Sequence, residues 1–371
     1  MKVLHINSYY SNSLFYKNLF EKQIQSGLDI DVFVPVDNAF NDKKNDYGQY
    51  TKICKNHSKY DKFVFHVKHH KILRDILRRY DLEKYSILHA HSLFSNGYIA
   101  LQIKKKYSIP YIVAVRNTDV NTFFKHMLHL RKLGVNILKE AHRVVFLSSA
   151  YKDHVISKYV PVRLRDVIDK KSCIIPNGIS DFWFENMGTM KTISNDEIKL
   201  LHVGDINKNK NILTTLKAVE KLNNSGIHAK LTAIGAVKDN TIYDQLISSE
   251  FAEYISPKPK EELVNIYRKN DILVLPSVHE TFGLVYPEAM SQGMPVIYTK
   301  EQGFDGQFPD GEVGYSVNCS DSSEIADRIT AIRDDYQEIS KRTISSVSRF
   351  NWQLISERYA EIYNFTTQIR G

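Results

Sequence analysis

Cysteine is scarce in this chain: three residues in 371, at Cys54, Cys173 and Cys319. They are isolated and odd in number, so neither a disulfide framework nor a paired-cysteine metal knuckle is available. No stretch approaches the ~18 uninterrupted apolar residues that a membrane-spanning helix needs. The opening MKVLHINSYYS runs straight into a strand-like segment. It lacks the apolar core and small-residue cleavage site of a secretory signal, so a reducing, cytoplasmic setting is expected. Disorder and low complexity are excluded as well, because 43% of the residues are apolar and 25% charged, ordinary globular values. What is present is enough chain for two domains.

The net charge of +8 is unevenly spread. Residues 1–185 carry 30 Lys and Arg against 17 Asp and Glu; residues 186–371 carry 20 against 25. A basic half joined to an acidic half suggests that one surface meets an anionic partner. No nucleic-acid motif accompanies the charge, so no nucleic-acid partner is expected. In residues 68–80, Ile72, Leu73, Ile76, Leu77 and Tyr80 recur at helical spacing, while Lys71, Arg74, Arg78 and Arg79 lie off that stripe. The pattern fits a surface helix packed on a sheet, and it also fits peripheral contact with an anionic membrane; both can hold at once.

Apolar runs at 2–6, 30–36, 63–67, 86–90, 111–115, 143–147 and 173–175 alternate with helical patterns at 13–26, 70–80, 95–107, 121–141 and 149–158. The short runs are nearly continuous, as in strands buried on both faces of a parallel sheet. The polar stretch 187–197 reads as a linker. The alternation then restarts, with strands at 199–203, 229–234, 252–255, 272–275, 295–298 and 313–317. Helices are expected near 211–224, 241–248, 260–269, 286–292 and 321–348. This predicts two doubly wound α/β domains, 1–185 and 186–350, with a cleft between them and an amphipathic stretch, 351–371, left over.

The strongest chemical signal is SVHETFGLVYPEAMSQGMPVI (277–297). Glu280 and Glu288 stand eight positions apart, and two carboxylates can bracket a sugar nucleotide by accepting hydrogen bonds from hydroxyls at either end. Pro287 fits the first turn of a helix, and Gly283 allows close backbone approach to a ligand. The amides of Leu284 and Val285 then lie near a helix N-terminus, where an anion is stabilised.

This segment resembles the E-x7-E element of the family 4 retaining glycosyltransferases, which have the GT-B fold. HAHSLFSNGYIA (89–100), PYIVAVRNTDV (110–120), AHRVVFLSSAYKDHV (141–155), IIPNGI (174–179) and LLHVGDINKNKNI (200–212) resemble further elements of that family. The resemblance implies a last helix that crosses back to the first domain. It implies a metal-independent enzyme without cofactor, moving a hexose-type sugar from a nucleoside diphosphate, UDP ahead of GDP. The basic charge of the first domain favours a glycan or lipid-linked glycan acceptor, as in polysaccharide assembly, reached at the inner face of the cell membrane. By the same resemblance Glu280 contacts the donor sugar, Glu288 the ribose, and Lys210 the diphosphate. Phe282, Gly283, Leu284 and Val285 supply backbone groups.

Three departures stand out. Asp205 replaces the Arg that usually helps clamp the diphosphate, leaving Lys208 and Arg116 as the compensating cations. Arg116 occupies a position where many members have His, in an R-x-x-D arrangement that ends at Asp119. The first loop reads Asn7-Ser8-Tyr9-Tyr10-Ser11-Asn12 in place of a Gly pair, so Tyr9, Tyr10 and Ser11 become acceptor contacts, with His91 and Asp119 near the cleft.

His89 and His91 alternate along a strand end and share a face, but the sequence supplies no third ligand, so no metal is expected. Asp29-Ile30-Asp31 precedes a strand and reads as a turn, and His126 with His129 reads as one helical face. The alternatives are a nucleotide-sugar-binding subunit without catalysis, favoured by Asp205 and the missing Gly pair, and a GT-B epimerase or phosphorylase.

Overall fold

The computed structural model describes residues 1–41, 45–193 and 197–368. The chain forms two compact units, one from Met1–Leu147, Lys152–Pro176 and Trp352–Gly371, the other from Ser148–Tyr151 and Asn177–Asn351.

The first unit holds seven parallel strands: β1 (Lys2–Ile6), β2 (Asp29–Asp37), β3 (Thr51–His57), β4 (Ile87–Ala90), β5 (Tyr111–Ala114), β6 (Arg143–Phe146) and β7 (Ser172–Ile174). Their order is β3-β2-β1-β4-β5-β6-β7, so the winding direction reverses between β1 and β4. All four residues of β4 and of β5 are buried, which explains a sequence that is apolar there except at His89.

The apolar run at 63–67 is not a strand. Ser58 and Asp61 form a reciprocal capping box that starts a 3-10 turn over Lys59–Phe63, and the helix Phe65–Arg79 follows. The strand that belongs here is β3, whose polar sequence suits its place at the sheet edge. In the helix Phe65–Arg79, Ile72 and Ile76 are buried, so the apolar stripe packs inward. Lys71 pairs with Asp61 and Arg79 with Asp75, each at 2.7 Å, while Arg74 and Arg78 are exposed. The pattern expected over 121–141 breaks into a π-type turn at Asp119–Phe124, a 3-10 turn at Leu128–Leu130 and the helix Arg131–Glu140.

The second unit holds β8 (Ile198–Val203), β9 (Ala229–Ile234), β10 (Ala252–Ile255), β11 (Ile272–Val274), β12 (Val296–Thr299) and β13 (Gly314–Val317). They are parallel in the order β10-β9-β8-β11-β12-β13, with the reversal between β8 and β11. The expected helix over 321–348 divides at Asp335 into Ser322–Asp334 and Tyr336–Ser346.

The chain passes from one unit to the other at Pro176–Asn177, ahead of the expected linker. The reason is local: the Asn186 carbonyl accepts from Arg268 Nη2 at 2.8 Å and Gln292 Nε2 at 3.0 Å, and the Gly188 amide donates to Ser291. These bonds tie 177–188 to the second unit. Residues 194–196 of that expected linker lie outside the described residues.

The helix Trp352–Gln368 belongs to the first unit. Trp352, Ile355, Tyr359 and Tyr363 are buried in its core with Phe20 of the helix Lys17–Gln25. Each such side chain contributes on the order of 1.5–3 kcal/mol on burial. The end of the expected stretch, 369–371, lies outside the described residues. No helix among the described residues is long and apolar enough to cross a membrane.

Candidate functional site

In an open parallel sheet the loops at the carboxyl ends of the two strands flanking the reversal diverge and leave a crevice. In the second unit those loops follow β8 and β11. The first carries Lys210 and the second carries Glu280, and their side chains meet: Lys210 Nζ lies 2.7 Å from Glu280 Oε2. Both side chains are largely buried, which strengthens the pair over a solvated one.

Three neighbours fix Lys210. Asn209 clamps the two loops together, accepting from the His279 amide at 3.1 Å and donating to the His279 carbonyl at 3.0 Å. Its own carbonyl accepts from the Val278 amide at 2.8 Å. Asn211 adopts the left-handed conformation at φ 58°, capping the helix Ile212–Asn224, and its side chain donates to the Pro276 carbonyl at 3.0 Å and the Cys319 carbonyl at 2.6 Å. Gly204, with no side chain, leaves room for the Lys210 methylenes.

Glu280 is equally constrained. Ser277 Oγ donates to Oε2 at 3.4 Å, the Thr281 amide donates to Oε1 at 3.1 Å, and the Glu280 amide donates to Gln302 Oε1 at 3.0 Å. Gly303 donates to the Glu280 carbonyl at 3.1 Å, and a Cβ there would fall 1.7 Å from the Thr281 carbonyl oxygen.

The remaining donor-side residues follow directly. Leu284 caps the helix Val285–Met290 and Val285 opens it, so their amides have no partner one turn back. Gly283 has φ +76°, and a Cβ would meet the Tyr286 ring at 2.3 Å. The turn and its packing therefore require glycine here. The Phe282 side chain is buried against Phe304 and Phe350, which leaves only its backbone groups for a ligand. Lys208 is exposed and Asp205 half-buried. Glu288 Oε2 accepts from the Tyr267 hydroxyl at 3.3 Å. Burial pushes its pKa up to about 7, partly offset by hydrogen bonds from Tyr267 and Trp183.

In the first unit the R-x-x-D arrangement is a local knot. Asp119 Oδ2 accepts from the Leu93 and Arg116 amides at 2.9 Å each, and Oδ1 from the Phe94 amide at 3.0 Å. Burial raises its pKa to about 6 against the pull of those three amides. Asp119 is thus a positioning residue, holding the turn that follows β4 against the turn that follows β5. Arg116 is almost fully buried, its Nε donating to the His91 carbonyl at 3.4 Å and its guanidinium 5.9 Å from the Tyr16 ring. In the first loop, Tyr9 is half-buried beside an Asx turn at Asn7, and Ser11 donates to the Ser8 carbonyl at 3.4 Å. Tyr10 is fully buried against Phe20 and Tyr47, its hydroxyl donating to the Tyr47 carbonyl at 3.0 Å. It is a core residue and no acceptor contact.

His91 is corrected in the same way. It is fully buried, with His5 as the third histidine that the sequence does not reveal. His5 Nδ1 and His91 Nε2 share a hydrogen bond at 3.0 Å, His89 stacks on His91 at 4.0 Å, and His89 Nδ1 lies 2.7 Å from the Tyr363 hydroxyl. Burial pushes the His5 pKa down to about 3 and drives His89 and His91 in the same direction, so the cluster is neutral. The ring nitrogens of the three histidines lie within 4.8 Å of one another, and neutral imidazole is also the form that can ligate a metal ion.

Comparison with known proteins places this geometry. The Glycosyltransferase Family 4 model matches residues 14–181, and the Glycosyl transferases group 1 model matches residues 189–347. Sucrose-phosphate synthase from Thermosynechococcus elongatus superposes with a TM-score of 0.74 at 17% identity, covering 98% of each chain. HepE from Anabaena in complex with UDP superposes with a TM-score of 0.72 at 15% identity, covering 98% of this chain and 99% of that one. Fold and family matches point the same way: the fold is GT-B, and each half of the chain matches a glycosyltransferase model, the first half that of Family 4. Among sequence relatives, the D-inositol 3-phosphate glycosyltransferase of Corynebacterium urealyticum is 32% identical over 123 residues, which cover 32% of this chain and 29% of that protein.

Proposed function

We propose that this protein moves a hexose-type sugar from a nucleoside diphosphate, UDP ahead of GDP, to an acceptor hydroxyl with retention of anomeric configuration. The observation that carries this reading is the Lys210–Glu280 pair at the strand-order reversal of the second unit. On donor binding, Lys210 turns its charge to the diphosphate and stabilises the negative charge that builds on it as its bond to the sugar breaks and the acceptor oxygen bonds to the same carbon. Glu280 then accepts hydrogen bonds from sugar hydroxyls, and Glu288 from the ribose. HepE, described with UDP and with UDP-glucose, supports UDP as the nucleotide. No metal or cofactor enters the reading, because Lys210 supplies the compensating charge.

The acceptor is a lipid-linked glycan in polysaccharide assembly, contacted by Tyr9 and Ser11 of the first unit. The basic charge of that unit brings the protein to an anionic membrane surface, with Arg74 and Arg78 of the 68–80 segment contributing. Asp205 favours one second reading, a nucleotide-sugar-binding subunit without catalysis, since it removes a usual diphosphate cation.

A panel of nucleotide sugars, screened by thermal shift and followed by product analysis with and without EDTA, tests the reading. A glycoside with the donor's anomeric configuration is expected in both conditions. An inverted product, or strict dependence on a divalent cation, overturns it, and donor binding with no turnover on any acceptor selects the second reading.

A further inference from the structure

A cavity of about 590 Å³ opens in the first unit between the helices Arg131–Glu140 and Val162–Lys170. Arg131, Lys132, Lys139 and Arg163 line it over an apolar floor that includes Val135 and Leu164. Among the described residues, no carboxylate lines it. Arg131 is held in place, its Nε donating to the Phe124 carbonyl at 2.7 Å and its guanidinium lying 5.4 Å from the Tyr159 ring. Four cations around an apolar floor, of which only Lys139 has a carboxylate beside it, Glu140 at 3.7 Å, form a site for an anion.

The surroundings decide which anion. Val162, between Pro161 and Arg163 of the lining, is 76% exposed, and Leu128, in the turn leading into Arg131, is 63% exposed. Ring contacts run from Tyr159 through Phe124, Phe94 and Phe123 to Phe65, at the start of the helix Phe65–Arg79. Phe63 and Val64, just before that helix, are exposed as well. A soluble anion uses the cations and gains nothing from these side chains. A membrane interface uses both, because apolar groups enter the acyl boundary while cations meet the headgroups.

We propose that this pocket receives the phosphate of an anionic membrane lipid, with Leu128 and Val162 inserted beside it. The assignment deepens the membrane reading given above and moves its centre from residues 68–80, where two of the four cations are paired with carboxylates at 2.7 Å, to a pocket where one, Lys139, lies 3.7 Å from Glu140.

Sedimentation of the full chain with phosphatidylcholine vesicles, with and without phosphatidylglycerol, tests it. The wild type is expected to sediment only with the anionic vesicles. The Lys132→Gln, Lys139→Gln, Arg163→Gln variant should lose roughly a hundredfold in partitioning, since each basic group near such a surface is worth several-fold. Leu128→Ser with Val162→Ser should also lose partitioning, and should do so at high salt too, where charge is screened. Arg74→Gln with Arg78→Gln should lose less than the triple variant. Circular dichroism and thermal unfolding confirm that each variant is folded. A triple variant that partitions like wild type overturns the pocket while leaving the membrane reading in place. A wild type that fails to sediment at low salt overturns both. Release of the wild type by inorganic phosphate at constant ionic strength would mark a soluble-anion site and overturn the lipid assignment.

Discussion

The ammonium of Lys210 and the carboxylate of Glu280, 70 residues apart in the chain, meet at 2.7 Å because two loops leave adjacent strands at the reversal of strand order. Each charge holds the other in place, and in the proposed reaction a diphosphate and a sugar exchange for them.

Removing either partner should therefore give different defects. Glu280→Ala is expected to lower turnover by on the order of tenfold or more, with a smaller effect on free UDP. Lys210→Ala should weaken UDP more than uridine, by roughly 1.5–3 kcal/mol for the lost charge-assisted contact. Calorimetry with both ligands separates the two; equal losses for UDP and uridine would remove the diphosphate role from Lys210.

Glu288 makes stability depend on pH. Its pKa rises from 4.5 to about 7 on folding, so the folded chain binds this proton more tightly than the unfolded chain does. The contribution is present below 4.5 and lost as pH rises through about 7, at most about 3 kcal/mol at 1.36 kcal/mol per unit. Denaturant unfolding at mildly acidic and mildly basic pH should show Glu288→Gln with a flatter profile than wild type. Glu288→Ala should also weaken UDP, and unchanged affinity would contradict a ribose contact.

Gly303→Ala should destabilise the second unit, since the added methyl group would meet the Thr281 carbonyl at 1.7 Å. Backbone must move there, and Glu280, tied to Gly303 through its own carbonyl, moves with it. A folded variant should lose turnover more than UDP affinity, whereas wild-type turnover would show that this loop does not position Glu280.

Asp205→Arg should hold or raise donor affinity, by supplying the cation that the loop after β8 otherwise draws from Lys210. A titration of UDP-glucose into the variant measures it. Loss of binding by a folded protein would show that Asp205 has its own task.

Much of this was legible in sequence, and the failures share a cause. The strands of the second sheet were legible through short, mostly apolar runs, broken where Lys199, Lys230 and Glu253 are exposed. In the first sheet, β3 was hidden by a polar edge sequence, and the apolar run 63–67 imitated a strand although Phe63, Val64 and Val67 are exposed. Glu280 and Lys210 were readable as residues, but their contact was not. Asn209, Gln302 and His5 were missed for the same reason. Asn209 acts through His279, Gln302 through Glu280, and His5 through a strand register that sets it opposite His89. Local pattern reports which side chains are apolar, and only pairing of distant segments reports which polar groups meet.

The helix Trp352–Gln368 has a consequence for how the chain is made. Tyr363 accepts a hydrogen bond from Gln23 at 3.1 Å and lies 2.7 Å from His89, so the interior of the first unit is closed by residues synthesised after the whole second unit. During synthesis from the N-terminus, Phe20, Gln23 and His89 wait with one wall missing, while β8 to β13 emerge as a continuous stretch able to fold at once. The first unit is thus interrupted in sequence and late to mature. A released chain truncated after residue 350 should show a protease-sensitive first unit and a protected second one.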